Sequence, residues 1–193
     1  LGHGASILCG SISYKGKMMD ANFFKIFMLI IVSMVVLRLY EMNISKTNEK
    51  KLLETFHLKL LSPFEHYFVY LFHLCWFISL IVEALFVHRV QDGLTAVMCY
   101  LFLTIAQIIR FESMQALGMY WTTKIYHIPS NSIVSKGLYK YFAHPSYLAV
   151  VIEFLVLPLL FNAHYTLMIF SILNLLILLH RIKLEAKITG RVL

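Results

Sequence analysis

Five apolar stretches run along the chain, and the segments between them hold most of its charged residues. The stretches are Phe23–Tyr40, Tyr67–Val87, Leu94–Ile109, Tyr147–Phe161 and Tyr165–Leu179. A membrane-spanning helix needs roughly 17–25 predominantly apolar residues. The first two stretches have this length, and the third reaches it if the helix continues through Arg110 to about Leu117. The pattern therefore predicts several transmembrane helices.

The last two apolar stretches are short, and only Asn162-Ala163-His164 separates them. This spacing predicts a helical hairpin, extended by Pro145 and Ser146 at its first end and by residues 180–183 at its second. Because backbone polar groups in lipid must be satisfied within helices or closed barrels, the expected fold class is all-α. We expect a polytopic membrane protein of about five transmembrane helices, with the last two forming the hairpin.

A single domain is expected, and it covers residues 18–193. Residues 1–17 hold four of the eight glycines, and the first methionine of the sequence is Met18. These residues contain no continuous apolar region of the kind that a signal peptide needs. We interpret residues 1–17 as a disordered leader or tag outside the fold.

Composition agrees with a lipid environment and argues against several other classes of protein. Of the 193 residues, 60% are hydrophobic and 14% are charged, whereas soluble domains have about 45–50% and 25%. The net charge is +7, but the basic residues form no face with aromatic or helix-turn-helix context. A nucleic-acid partner is therefore not expected. The three cysteines lack CxxC spacing and the nine histidines lack a paired i, i+4 pattern. Neither disulfides nor a metal site is therefore expected.

Basic residues between the apolar stretches predict how the protein is oriented. They concentrate in residues 41–66, in residues 118–145 and at the C-terminus. By the positive-inside rule these parts face the cytoplasm and the N-terminus lies outside. We interpret residues 41–66, where apolar residues recur at helical spacing, as an amphipathic helix on the lipid headgroups. A role in substrate gating is the alternative for this segment.

Three charged residues lie within or close to the apolar stretches, where a charge is costly. Glu83 and Arg110 are near predicted helix ends, so we expect their side chains to extend towards the headgroups. Glu153 lies about two turns into the fourth helix and needs a buried partner or a water-filled cavity. The sequence leaves structural pairing and pocket lining equally open for Glu153.

Polar residues with catalytic potential precede the fourth helix. Gly137 and Tyr139 are followed by the run His144-Pro145-Ser146-Tyr147. Proline suits the first turn of a helix, where its missing N–H has no cost. The free amide groups of that turn are a natural place to hold a carboxylate.

The far end of the hairpin carries a second polar group. Arg181 and Glu185 are four residues apart, so they share one face of a continuing helix. An antiparallel hairpin returns this end to the side where the fourth helix begins. Both residues should therefore lie near Tyr139, His144 and Tyr147, at the edge of the bilayer. The alternative is a surface ion pair between Arg181 and Glu185.

These residues form one longer pattern, G-x-Y-x-x-x-x-H-P-S-Y, followed by an apolar hairpin and R-x-x-x-E. Upstream lie Arg38-x-x-Glu41, Glu65-His66-Tyr67 and Trp121–Lys124. Together the motifs resemble those of the isoprenylcysteine carboxyl methyltransferase family, in particular its bacterial membrane branch of alkylpyrone and alkylresorcinol O-methyltransferases. The resemblance covers nearly all of residues 23–187.

This resemblance implies a helical membrane enzyme that binds S-adenosyl-L-methionine without a Rossmann domain. It implies that Arg181 is the catalytic residue and faces the acidic oxygen of the acceptor. The cofactor would contact Asn131, Ser132, Ile133, Val134, Tyr139, His144, Pro145, Ser146, Tyr147 and Glu185. The bacterial branch further implies a location in the bacterial cell membrane, with the cofactor site facing the cytoplasm.

The predicted function is an integral membrane S-adenosylmethionine-dependent O-methyltransferase. Its acceptor would be a lipophilic acid, either a carboxylate, an enol or a phenol, of the isoprenylcysteine or the long-chain alkylpyrone type. The alternatives are a phospholipid N-methyltransferase and a non-catalytic lipid-binding membrane protein. The expected partners are the lipid bilayer and a lipophilic small molecule, and the oligomeric state is left open.

Overall fold

The computed structural model describes residues 21–56, 64–87, 89–126 and 136–189. The five α-helices of this part are α1 Ala21–Phe56, α2 Glu65–Val87, α3 Gly93–Leu117, α4 Pro145–Leu160 and α5 His164–Thr189. Short 3-10 helices lie at Gly118–Tyr120 and Gly137–Lys140. No β-strand occurs among the described residues, and the predicted all-α fold is confirmed. The expected leader, residues 1–17, lies outside the described part.

Four of the five helices are long and apolar enough to cross a membrane. Their apolar spans are Phe23–Phe56, Glu65–Val87, Gly93–Tyr120 and His164–Ala186, and α4 is a shorter apolar helix. Large apolar side chains such as Leu29, Phe86 and Leu94 are at least 70% exposed on the outer surface of the bundle. Such a surface suits lipid rather than water. The protein is an integral membrane protein.

Helix α1 extends well beyond the apolar stretch that predicts it. Residues 41–56, expected to lie as a separate helix on the headgroups, continue α1 without a break. Leu52 is fully buried, and Glu41, Ser45 and Asn48 are buried too. Because these residues recur at a spacing of three to four, they form one stripe that packs against protein. Residues 41–56, the polar half of α1, are therefore held by tertiary contacts of their side chains. The predicted helix on the lipid headgroups is wrong for these residues.

The predicted hairpin of α4 and α5 is present, and α4 lies between α3 and α5. Its turn is closed by a hydrogen bond from the Ala163 amide to the Pro158 carbonyl, at 2.8 Å. Asn162 has a φ of 54°, in the left-handed region that asparagine tolerates better than most residues. The tight turn thus returns α5 to the side of the membrane on which α4 begins.

Aromatic rings form the core around α4. The Phe154 ring stacks on Trp76 and on Phe72 of α2, with centroids 4.1 and 5.6 Å apart. At the turn of the hairpin, Phe161 packs edge-on against Phe27 of α1 at 5.1 Å. Burying aromatic rings in these pairs adds to the stabilisation from the buried area itself. The core thereby joins α1, α2 and the hairpin.

The Glu83 side chain was expected to extend towards the headgroups, but it binds to the start of α5 instead. Its carboxylate accepts hydrogen bonds from the Tyr165 and Thr166 amide groups, at 2.9 and 2.7 Å, and from the Thr166 hydroxyl at 2.7 Å. The first amide groups of a helix have no partner within the helix, and an anion is stabilised there. Glu83 of α2 therefore caps the N-terminus of α5.

Candidate functional site

The two ends of the hairpin meet through Glu185. Its Oε2 atom lies 3.2 Å from His144 Nδ1, and its Oε1 atom accepts a hydrogen bond from the Tyr147 hydroxyl. The side chains of His144 and Glu185 are 29% and 27% exposed, so a ligand can reach both. The antiparallel return of α5 brings these three groups together as the sequence pattern predicts.

Tyr139 lies beside the first turn of α4. Its hydroxyl is 3.4 Å from the Ser146 hydroxyl. The 3-10 helix that carries it begins at Gly137, whose φ of 57° strains any residue with a Cβ. Burial raises the pKa of the Tyr139 phenol. The phenol is therefore protonated at neutral pH and available as a hydrogen-bond donor.

The N-terminus of α4 supplies fewer amide donors than the sequence suggests. Pro145 occupies the first turn and has no N–H, and within the described residues no side chain caps this end. The Tyr147 amide donates to the His144 carbonyl at 3.1 Å. The Ser146 amide is therefore the group of this turn that can hold an anion.

Arg181 is buried and its guanidinium is fixed by groups from three other elements. Its Nε atom lies 3.0 Å from Glu65 Oε1 of α2, and its Nη2 donates to the Thr123 carbonyl at 2.8 Å. Its Cζ atom lies 5.8 Å from the centroid of the Tyr147 ring. The surface ion pair proposed as the alternative is wrong for Arg181, which is 9% exposed. Glu65 entered the sequence argument only as part of a motif, and its contact with Arg181 was missed.

The structure thus gathers most of the predicted site residues in one region. They are Tyr139, His144, Pro145, Ser146, Tyr147, Arg181 and Glu185. Asn131, Ser132, Ile133 and Val134 lie outside the described residues. The roles of all these residues in cofactor or acceptor binding stay predictions. In the described part of the chain, no group of three or more His, Cys, Asp and Glu side chains is arranged to hold a metal ion.

A second polar cluster is buried among the helices, and we call it the ion cluster. It consists of Arg38, Glu41, Gln107, Arg110 and Glu153. Arg110 Nη2 lies 2.7 Å from Glu153 Oε2 and its Nη1 lies 3.2 Å from Glu41 Oε2. Arg38 pairs with the same two carboxylates, and Gln107 donates to Glu153 Oε1 at 2.7 Å. Two guanidinium groups therefore balance two carboxylates.

The ion cluster settles how the membrane charges are accommodated. Glu153, for which pairing and pocket lining were both open, is fully buried and paired. Arg110 was expected to extend to the headgroups, and this is wrong because it is 6% exposed and bonded on both sides. An unpaired charge at such a site would be expensive, whereas a balanced set with hydrogen bonds is tolerated. The sequence signal for it was the charges themselves and the spacing of Arg38 and Glu41.

Comparison with known proteins gives three findings. The model of the isoprenylcysteine carboxyl methyltransferase (ICMT) family matches residues 96–189, which include α4, α5 and the site between them. The uncharacterized protein YpbQ of Bacillus subtilis (strain 168) is 35% identical over 162 residues, which cover 83% of this chain and 95% of that protein. An uncharacterized protein of Haemophilus influenzae is 32% identical over 114 residues, covering 58% of this chain and 66% of that protein.

No solved structure matches the chain significantly. The family match spans α4, α5 and the polar site at the base of their hairpin, and the YpbQ match extends over most of the chain. This membrane protein therefore belongs to the isoprenylcysteine carboxyl methyltransferase family and is methyltransferase-like.

Proposed function

We propose that the protein is an S-adenosylmethionine-dependent O-methyltransferase that acts on a lipophilic acidic acceptor. The acceptor is a carboxylate, an enol or a phenol of the isoprenylcysteine or long-chain alkylpyrone type. The observation that carries this proposal is the meeting of Arg181, His144, Tyr147 and Glu185 at the base of an apolar hairpin. We further propose a bacterial cell membrane with the site on the cytoplasmic face, which the positions of the basic residues support.

The residues of the site fit the chemistry of this cofactor. S-Adenosylmethionine carries two positive groups and one carboxylate, and when bound it would supply an activated methyl group. The Glu185 carboxylate offers a partner for positive charge, and the Ser146 amide offers one for the carboxylate. The rings of Tyr139 and Tyr147 add apolar surface, and the Tyr139 hydroxyl adds a phenolic donor. Asn131 to Val134 belong to the same proposal as further cofactor contacts.

Arg181 is proposed to orient the acceptor. A guanidinium has five N–H donors. One donor on Nη2 is used by the Thr123 carbonyl, and the Nε side forms an ion pair with Glu65 that lacks hydrogen-bond geometry. In this proposal the donors on Nη1, which lie in the same plane as Nη2, bind the acceptor oxygen. Holding two reactants in alignment can supply about 7–11 kcal/mol of the barrier. A carboxylate is already ionised at neutral pH, so it needs no general base.

The surroundings of the site support a lipophilic acceptor. Tyr141 and Phe142, just before His144 in the chain, are 76% and 51% exposed. Leu148, one residue beyond Tyr147, is 38% exposed. Exposed apolar side chains flanking a polar site indicate that it lies at the boundary between lipid and water. An acceptor with an acidic head and an apolar tail matches such a boundary.

The first experiment measures binding of S-adenosylhomocysteine to the detergent-solubilised protein. A ligand at 100 times its Kd should raise the free energy of unfolding by about 2.7 kcal/mol. Transfer of a labelled methyl group is then measured to lipophilic carboxylic acids, enols and phenols, and to phosphatidylethanolamine. We expect stabilisation by the ligand and labelling of an acidic acceptor.

Variants of Arg181 test its proposed role in the same assays. Arg181→Lys keeps the charge and loses the planar fork, so turnover should fall at least about tenfold for each 1.4 kcal/mol of lost transition-state stabilisation, with little change in cofactor affinity. Arg181→Ala should be more severe, and Lys183→Ala, an exposed cation on the same helix, should resemble wild type. Loss of cofactor affinity in step with turnover would place Arg181 in the cofactor site instead.

Two outcomes would overturn the proposed function. Absence of any stabilisation at saturating S-adenosylhomocysteine would favour a non-catalytic lipid-binding protein. Labelling of the amine of phosphatidylethanolamine, with no labelling of acidic acceptors, would favour phospholipid N-methylation.

A further inference from the structure

Every polar group of Thr123 is hydrogen-bonded to a side chain of one of the helices. Its amide donates to Ser45 Oγ of α1 at 2.9 Å. Its hydroxyl lies 3.0 Å from Ser45 Oγ and 2.8 Å from the Tyr70 hydroxyl of α2. Its carbonyl accepts the hydrogen bond from Arg181 of α5 at 2.8 Å. One residue outside any helix thus joins α1, α2 and α5.

Other contacts from α1 fix the backbone on both sides of Thr123. The Asn48 amide group donates to the Gly118 and Trp121 carbonyls, at 3.0 and 2.9 Å. Glu49 Oε1 lies 2.6 Å from Lys124 Nζ and also accepts a hydrogen bond from Tyr126. Burial and this carboxylate raise the pKa of Tyr126, which therefore stays a donor at neutral pH. The segment cannot shift without breaking bonds to the buried stripe of α1.

The consequence for Arg181 is geometric. A backbone carbonyl in a connecting segment can tilt unless its neighbours hold it, and here the hydroxyls of Ser45 and Tyr70 hold the residue that carries it. A displacement of about 1 Å in a positioning group can cost a hundredfold in rate. The orientation of the Arg181 guanidinium therefore depends on α1 and α2 as well as on α5.

We propose that Ser45, Tyr70 and Thr123 are positioning residues for methyl transfer, which act by fixing the carbonyl that orients Arg181. This inference rests on the proposed function. Ser45 and Tyr70 lie outside residues 96–189, the range that the family model matches. The buried side of α1 then contributes to catalysis through Ser45, although none of these three residues touches the acceptor or the cofactor in this proposal.

The test compares hydroxyl deletions at these positions with matched controls. The variants are Ser45→Ala, Tyr70→Phe and Thr123→Val, together with the conservative Thr123→Ser. Thr47→Ala removes an exposed hydroxyl that donates to the Asn43 carbonyl within α1. Tyr67→Phe removes the hydroxyl of a tyrosine that is 66% exposed. Both controls should keep the turnover of wild type.

We expect each of the three deletions to lower kcat about tenfold or more, the effect of roughly 1.4 kcal/mol on the barrier. The affinity for S-adenosylhomocysteine should match that of the controls, and the midpoint of thermal unfolding should fall only by the few degrees expected for one lost hydrogen bond. Thr123→Ser keeps the hydroxyl and should restore most of the turnover that Thr123→Val loses. A fall in cofactor affinity and unfolding midpoint in step with kcat would show a merely structural role and would overturn the inference.

A double-mutant cycle tests whether the effect passes through Arg181. If Tyr70 acts by orienting the guanidinium, Tyr70→Phe should lower kcat much less in an Arg181→Lys background than in wild type, because coupled residues are not additive. Equal reductions in both backgrounds would contradict the inference. An active wild type with unaffected Tyr70→Phe and Thr123→Val variants would overturn this inference alone. Absence of cofactor binding by wild type would overturn the proposed function and this inference with it.

Discussion

The ion cluster makes a strong prediction for Glu153→Gln. The substitution keeps the shape and one acceptor oxygen, but it leaves the guanidinium groups of Arg38 and Arg110 facing Glu41 as their single carboxylate. Glu153 now accepts hydrogen bonds from both arginines and from Gln107, and it is fully buried. Removing one partner of a buried ion pair costs about 3–5 kcal/mol. That is a large share of a typical stability of about 5–15 kcal/mol.

Thermal unfolding in detergent measures this effect. Glu112→Gln is the control, because Glu112 of α3 is exposed. For a chain of this size, about 2–4 °C is lost per kcal/mol, so the unfolding midpoint should fall by about 6–20 °C. The double substitution Glu153→Gln with Gln107→Glu returns a second carboxylate to the ion cluster and should recover part of the loss. A midpoint for Glu153→Gln equal to that of Glu112→Gln would refute the reasoning.

Two further predictions concern the opposite ends of α5. Glu185→Gln should weaken S-adenosylhomocysteine binding by about 1.5–3 kcal/mol, the value of a charge-assisted hydrogen bond, and calorimetry should show a rise in Kd of about 10- to 150-fold. Glu54→Gln, at an exposed position, is the control. An unchanged Kd would remove Glu185 from the cofactor site. Glu83→Gln should lower the stability by about 0.5–2 kcal/mol, because the cap of α5 is weakened. The same calorimetry should show unchanged cofactor binding for Glu83→Gln, and a lowered affinity would contradict a purely structural role.

Local pattern was enough to predict the helices and the hairpin. Apolar length and the short link at residues 162–164 depend only on neighbouring residues, so the number of helices and the return of α5 followed from them. The same return placed Glu185 near His144 and Tyr147, since two antiparallel helices must bring their outer ends together. These parts of the site required no knowledge of side-chain packing.

The remaining contacts depend on residues that are far apart in the chain. Apart from Arg38 and Glu41, which are three residues apart, the ion pairs of the ion cluster join residues that are 43, 69 and 115 positions apart. No spacing rule connects these residues. The prediction that residues 41–56 lie on the headgroups was wrong for a related reason. Ser45 and Asn48 are polar, and yet they are buried against protein. Their burial becomes favourable only through the carbonyl and hydroxyl groups of residues 118–123. Glu65 could have been found by asking which anion accompanies a buried Arg181.

The shortness of α4 has a consequence for the membrane around the protein. Its 16 residues span about 24 Å, whereas the hydrocarbon core of a bilayer is about 30 Å thick. Beside the hairpin the bilayer therefore thins, or one end of α4 lies below the headgroup level, each at a modest cost per ångström of mismatch. Where that end is the His144 end, the site lies below the headgroups. In a thicker bilayer the same site is sunk more deeply under the headgroups, while in a thinner one it rises towards water. The acyl-chain length of the host membrane thus determines the depth of Arg181 below the headgroups, and with it the distance that a lipophilic acceptor moves to reach the site.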